Sequence, residues 1–233
     1  MKIRNVPKVI AIIPDGNRRW AGRHSFSVFN GYRTGVRKFI DFADWCKEYG
    51  VKNITVWGFS TENFDRSAHE RKALFKLYKE VATDKEVIDR LCKNKTRFKV
   101  IGNTWLLPKD LLFALRAVEE RTKHYKDRVI NMLIAYGGAD DILYGVREVA
   151  KLIARNGGRI NESTLRAHLL SNSVPDLDLV IRTSGEERLS GFMPLQSSYA
   201  ELYFSDKLWP DFTKKDLRKA LLDYSKRKRR FGK

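Results

Sequence analysis

Apolar residues in this chain fall into short unbroken runs, separated by longer stretches where they recur every third or fourth position. Val9 to Ile13 is continuous and ends at Pro14, the mark of a strand buried on both faces of a parallel sheet. Asn53 to Phe59, rich in β-branched and aromatic side chains, predicts a second strand. Arg97 to Ile101, Val129 to Tyr136, Leu177 to Ile181 and Glu201 to Phe204 supply the others. Between them Val36, Phe39, Ile40, Ala43 and Cys46 keep helical spacing up to a stop at Gly50. Leu74, Leu77, Val81, Ile88 and Leu91 predict one long helix over residues 68–93. Helices are also expected over 108–123, opened by Pro108, and over 140–155 and 162–170, with a last one capped by Thr213 and Asp216. Residues 21–30 are expected to be irregular and residues 60–66 to form a polar loop. Strand and helix alternate without repeat or linker, which predicts an α/β protein: a single domain over residues 1–233, with a central, mainly parallel six-stranded sheet flanked by helices.

Three polar segments follow apolar strands: Asp15 to Trp20, Ser60 to Arg66 and Arg182 to Ser190. In a parallel sheet the loops at the carboxyl ends share one edge, so these side chains can converge. Together they offer Asp15 at a strand end, the arginines Arg18, Arg19, Arg66, Arg182 and Arg188, and several hydroxyls and amides. A carboxylate suits a hard cation, and guanidinium groups pair with phosphate oxygens two at a time. The inventory asks for a phosphorylated, metal-bound ligand. It lacks a Ser–His or Cys–His pairing, a GxGxxG after a strand and a Walker loop, so neither nucleophilic hydrolysis nor nucleotide binding has support.

Composition narrows the class. Hydrophobic residues make up 42% and aromatic residues 12% of the 233 positions, values of a folded protein. No apolar run is long enough to cross a bilayer, and Met1-Lys2-Ile3-Arg4 lacks a signal-peptide core, so a cytoplasmic protein is expected. The 2 cysteines sit in helical patterns, and His24, His69, His124 and His168 are dispersed without metal-ligand spacing. A net charge of +18 demands an anionic partner: nucleic acid, an anionic membrane surface or a diphosphate substrate.

The motifs Asp-Gly-Asn-Arg-Arg-Trp-Ala at 15–21, Phe-Ser-Thr-Glu-Asn-Phe at 59–64 and Ile-Arg-Thr-Ser-Gly-Glu-Glu-Arg-Leu-Ser at 181–190 resemble those of the cis-prenyltransferase family, best known from undecaprenyl diphosphate synthases. Tyr-Ala-Glu-Leu-Tyr-Phe at 199–204, Leu-Trp-Pro-Asp-Phe at 208–212 and the terminal Arg-Arg-Phe-Gly extend the resemblance nearly end to end. It implies Mg²⁺-dependent transfer of an allylic prenyl group to isopentenyl diphosphate, with diphosphate leaving and a cis double bond forming. Asp15 would bind Mg²⁺ and assist the departure, with Glu201 as a second metal carboxylate. Gly16, Asn17, Arg18 and Arg19 would cradle the allylic diphosphate, with Trp20 and Tyr32 nearby. Ser60, Asn63 and Arg66 would stand at the reacting centre, Asn63 assisting proton removal, with Thr61, Glu62 and Phe64 of the same motif as further substrate contacts. Arg182, Arg188 and Ser190 would hold isopentenyl diphosphate. Arg230 and Gly232, in a tail at 226–233, would reach the active site of a partner subunit in a homodimer. Work at a membrane surface is implied if the product is long; no nucleic acid partner is expected.

Some positions depart from the family pattern. Pro14 stands for a usual Met, Val28 for an arginine at the allylic diphosphate, Tyr32 for a histidine, Ala135 and Ala139 for the Asn and Arg of an Asn-Tyr-Gly-Gly-Arg segment, and Met193-Pro194-Leu195 for Leu-Leu-Trp. Pro14, Tyr32 and Pro194-Leu195 resemble the family's lavandulyl-type branch, which joins two allylic units without head-to-tail order. A branched or short product, or a non-catalytic subunit of a heteromeric enzyme, are the alternatives. Periodicity does not separate core from tunnel wall in the helices at 36–49 and 68–92.

Overall fold

A computed structural model describes residues 3–228. Six strands, β1 (Val9–Ile13), β2 (Asn53–Ser60), β3 (Thr96–Ile101), β4 (Arg128–Tyr136), β5 (Leu179–Arg182) and β6 (Glu201–Phe204), form one sheet in the order β3-β4-β2-β1-β5-β6. All pairings are parallel. Eight α-helices among the described residues flank it: α1 (Asn17–Arg23), α2 (Val28–Glu48), α3 (Ala68–Thr83), α4 (Lys85–Lys93), α5 (Lys109–Thr122), α6 (Gly138–Asn156), α7 (Glu162–His168) and α8 (Lys214–Lys226). The predicted class and strand number agree with this architecture. After β1 the chain turns to one side of the sheet and after β5 to the other. The crevice beyond the carboxyl ends of β1 and β5 is therefore where an open α/β sheet receives a ligand. No helix among the described residues is long and apolar enough to cross a membrane.

Local chemistry explains the departures from expectation. Residues 21–23 and 28–30 are helical rather than irregular: α1 is too short and polar to show apolar periodicity, and Ser27 starts α2 by accepting the Asn30 N–H at 3.2 Å. The helix expected over 68–93 breaks at Asp84, whose Oδ1 accepts the Glu86 N–H at 2.8 Å. A side chain that takes backbone donors ends one helix and begins the next while the apolar spacing runs on. Residues 61–65 form a turn of 3₁₀ helix, not an open loop. Arg182 is the last residue of β5, in register with Ile13, so it enters the site from a strand.

Two internal ties position the sheet edge. Fully buried Trp209 donates its indole N–H to Gly35 O at 2.8 Å and its backbone N–H to Asp15 O at 3.0 Å, fastening α2 to the β1 loop. Asp141, 2% exposed, accepts from Leu170 N at 2.7 Å, Tyr136 Oη at 2.9 Å and the Ser171 hydroxyl. Burial, with the Asp141 carboxylate next, pushes the Tyr136 phenol far up, so it stays the donor. Gln196 extends this network to the segment after Ser190 by donating to Ser171 Oγ at 2.8 Å. Removing one acceptor strands several buried donors, so Asp141→Ala should lower unfolding free energy by roughly 3 kcal/mol. Urea denaturation of Asp141→Ala beside Asp141→Asn checks it; an unchanged midpoint for alanine would show the network carries no stability.

Candidate active site

At the end of β1 the chain must turn sharply beside β5 and the Leu208 segment. Gly16 has φ +103°, and a Cβ there would stand 2.8 Å from Leu208 Cδ2 and 3.0 Å from Ser184 Cβ, so only glycine fits. The turn projects Asp15 across to β5. Its Oδ2 accepts from Arg182 Nη2 at 3.0 Å and its Oδ1 from Gly16 N at 2.7 Å. The Arg182 side chain is 7% exposed, and Nη1 donates to Ser190 Oγ at 2.9 Å and to Arg188 O. Its buried Nε has no partner. Arg19 reaches Ser184 Oγ at 2.6 Å and Glu186 at 3.1 Å, and Glu186 also pairs with Arg188 at 2.5 Å. Asn17 donates to Pro14 O at 2.8 Å, while its buried Oδ1 is left without a partner.

Across the edge, the 3₁₀ turn brings in a second group. Asn63 closes a capping box on Ser60, its Oδ1 accepting the Ser60 N–H at 3.3 Å. Arg66 Nη1 donates to Tyr32 Oη at 2.8 Å, and Tyr32 donates to Glu70 at 2.6 Å. Burial, and then the Glu70 hydrogen bond, push the Tyr32 phenol far above its ordinary value, so it is a neutral donor at any physiological pH.

Both groups open into one cavity of about 990 Å³. Asp15, Gly16, Asn17, Arg18, Arg19, Tyr32, Ser60, Glu62, Asn63, Arg66, Arg182 and Ser190 line its polar end. From there it runs between the sheet and α2, α3 and α4, past Val36, Phe39, Val56, Leu74, Leu91 and Met132. It ends at Asp44, Arg90, Asn94 and Arg128, near the amino ends of the strands. Part of the apolar periodicity therefore belongs to a tunnel wall. The polar mouth carries arginines, whose planar forks match phosphate geometry, and the bore beyond is lined by apolar side chains.

Several expected site residues lie off the cavity. Trp20 donates its indole N–H to Asp211 at 2.7 Å and stacks on His24. Phe64 packs edge-on against Phe59 at 5.1 Å. Thr61 and Arg188 border the edge without lining the cavity. Glu201 begins β6, opposite Leu179 at the amino end of β5, and accepts from Arg227 Nη1 at 2.8 Å. The strand puts it roughly 10 Å from the carboxyl edge, so one chain does not bring it to Asp15. Arg230 and Gly232 lie outside the described residues. Glu70 was missed: Ser67-Ala-His-Glu70 spells an ordinary capping box. Ser67 does cap Glu70 N at 3.2 Å, but the Glu70 carboxylate turns to Tyr32 and Arg66 instead of completing the box.

An open α/β sheet with an arginine-lined crevice at its switch point, continued by an apolar bore, defines a protein that binds a phosphorylated lipid-like molecule. The comparisons give that class a family. Residues 13–232 match the prenyltransferase family model described as "Putative undecaprenyl diphosphate synthase", and the chain belongs to this family. A Methanopyrus kandleri protein named tritrans,polycis-undecaprenyl-diphosphate synthase (geranylgeranyl-diphosphate specific) is 41% identical, covering 100% of this chain and 87% of its own. An Aquifex aeolicus isoprenyl transferase is 40% identical over 97% of this chain and 96% of its own. The crystal structure of lavandulyl diphosphate synthase from Lavandula x intermedia in complex with dimethylallyl diphosphate superposes with a TM-score of 0.93 at 34% identity, over 98% of this chain and 99% of that one. This chain is a prenyltransferase.

Proposed function

We propose that the enzyme condenses an allylic prenyl diphosphate with isopentenyl diphosphate to give a long cis-polyprenyl diphosphate, releasing diphosphate. The observation that carries this is the single cavity joining the arginine-lined edge to an apolar bore that reaches the far end of the sheet. Arg18 and Arg19, with the backbone at Gly16 and Asn17, hold the allylic diphosphate. Arg182, oriented by Asp15 and Ser190, holds the acceptor diphosphate, with Arg188 supporting from Glu186. Asn63, on the 3₁₀ turn of the second group, retains its amide N–H donors and a second lone pair for the reacting carbons' proton traffic.

The donor set fits Mg²⁺, which binds through one or two carboxylates together with substrate phosphates and water. Asp15 offers the carboxylate, and Asn17, which lines the same cavity, has a buried Oδ1 without a partner. No group of three or more His, Cys, Asp or Glu able to hold a metal occurs among the described residues. When bound, the ion neutralises charge that builds on the departing diphosphate. Glu201 would join it only from another subunit. A homodimer is supported by Leu143 and Val146, 52% and 40% exposed on one face of α6.

Incubating the purified enzyme with labelled geranylgeranyl diphosphate, isopentenyl diphosphate and Mg²⁺ tests the proposal. Long cis products, lost on chelation, are expected; no elongation with any allylic primer would end it. A second reading, branched coupling of two allylic units, is favoured by the likeness to the lavandulyl enzyme together with Val28 and Tyr32 at the cavity mouth. A missing arginine–phosphate contact costs roughly 1.5–3 kcal/mol. Some branched product from allylic substrate alone is expected, reduced in a Val28→Arg/Tyr32→His variant. Exclusively linear product under every substrate pairing would make these substitutions neutral.

The tail beyond residue 228 is proposed to complete the neighbouring subunit's site through Arg230 and Gly232. Deleting Arg230 to Lys233 should then lower activity far more than melting temperature. Mixing the truncated protein with Asp15→Ala should restore part of the activity, since one site of each hybrid has both elements. No recovery despite demonstrated subunit exchange would place the tail elsewhere.

A further inference from the structure

We propose that the hairpin joining α1 to α2 is a docking surface for an anionic lipid bilayer, set at the rim of the substrate cavity. Its charge is one-sided. From Asn17 to Lys38 the chain carries Arg18, Arg19, Arg23, Arg33, Arg37 and Lys38 and no carboxylate. Among the described residues, the ion pairs of this set reduce to Arg19 with Glu186. Cation density without internal compensation is what an anionic headgroup layer attracts.

The tip supplies apolar surface. Residues 22–28 are all exposed, and Ser25 turns the chain at φ +54°. Phe26 is 51% and Val28 39% exposed, although both are large apolar side chains. Phe26 is backed at 5.6 Å by Trp20, which stacks on His24 at 4.4 Å and is pinned by Asp211. A rigid aromatic tip with a polar handle, flanked by arginines, has the composition of an interfacial anchor.

Location gives the contact a purpose. Arg18, Arg19 and Val28 line the cavity mouth, so a bilayer seated on the hairpin faces the opening through which a polyprenyl chain passes. A single-stranded nucleic acid would also meet arginines here. However, stacking needs open ring faces, whereas Trp20 is stacked on His24, Phe26 packs its ring against both, and Val28 offers only aliphatic surface.

The proposal rests on the prenyltransferase reading for its purpose alone; vesicle binding is read without substrate and stands or falls separately. The full chain is floated with phosphatidylcholine vesicles and with vesicles containing phosphatidylglycerol, at physiological salt. Binding to the anionic vesicles that weakens with added salt is expected. The triple variant Arg23→Ser, Arg33→Ser, Arg37→Ser should lower it on the order of 100-fold, at about fivefold per basic residue. Phe26→Ser should lower it about tenfold. These four residues do not line the cavity, so turnover of soluble substrates in detergent should stay at the wild-type level, which also shows that the variants fold. A control triple, Lys52→Ser, Lys95→Ser and Lys126→Ser, removes equal charge just ahead of β2, β3 and β4, at the opposite end of the sheet. It should bind almost as wild type. Equal loss in the control, wild-type binding by the hairpin variants, equal binding to neutral vesicles, or tighter binding to single-stranded DNA at the same salt would each overturn the proposal.

Discussion

With Asp15 replaced by alanine, turnover is expected to fall on the order of 10³-fold in a protein that remains folded, the scale of removing a group that stabilises developing charge. The side chain is 36% exposed and packs no core, so its loss is not a folding defect. What disappears is a carboxylate lining the cavity mouth beside the arginines of β5 and α1, and with it the ionic partner of Arg182. Asp15→Asn separates charge from shape: it can still accept the Gly16 N–H but offers no anion to a cation. Both variants should lose activity together while their melting temperatures stay near wild type. Near-normal turnover by Asp15→Asn in Mg²⁺ would remove Asp15 from the chemistry.

Arg182→Ala should be nearly as damaging, on the order of 10²-fold in kcat/KM or more, the combined effect of losing a charge-assisted contact and leaving its neighbours unpaired. The buried guanidinium ties Asp15, Ser190 and the Arg188 carbonyl into one arrangement. Alanine deletes a diphosphate contact and also lets the segment after β5 relax. Arg182→Lys restores charge but not the planar fork, so it should recover only a fraction. If Arg182 holds the acceptor, KM for isopentenyl diphosphate should rise more than KM for the allylic substrate. Equal rises for both would assign it to the shared edge instead, and wild-type kinetics would discard the role altogether.

The expected convergence of three loops was legible because it follows from topology: in a parallel sheet, loops after strands share an edge wherever their helices go. Asp15 and Arg182 lie far apart in sequence yet meet, because both end adjacent strands. Glu70 shows the opposite case. Its spacing from Ser67 satisfies a local rule, and only the packing of α3 against α2 reveals a stronger pair of partners in Tyr32 and Arg66. Glu201 is similar: the family resemblance implies a metal ligand, while the register of β6 puts it at the amino end of the strand within one chain, held by Arg227. The break at Asp84 escaped because apolar spacing continues through a capping residue that interrupts the backbone.

Sequence alone determined the fold class, the strand positions and the chemistry of the edge, because these depend on the local order of apolar runs, turn residues and charges. Tertiary structure decided which apolar faces became core and which became the wall of a cavity. Both are built from the same side chains at the same helical spacing, and they differ only in whether the facing element closes against them. Here α2, α3 and α4 stand away from β2 and β4 and leave about 990 Å³ open. That separation is set by contacts between residues distant in the chain, which no local pattern encodes.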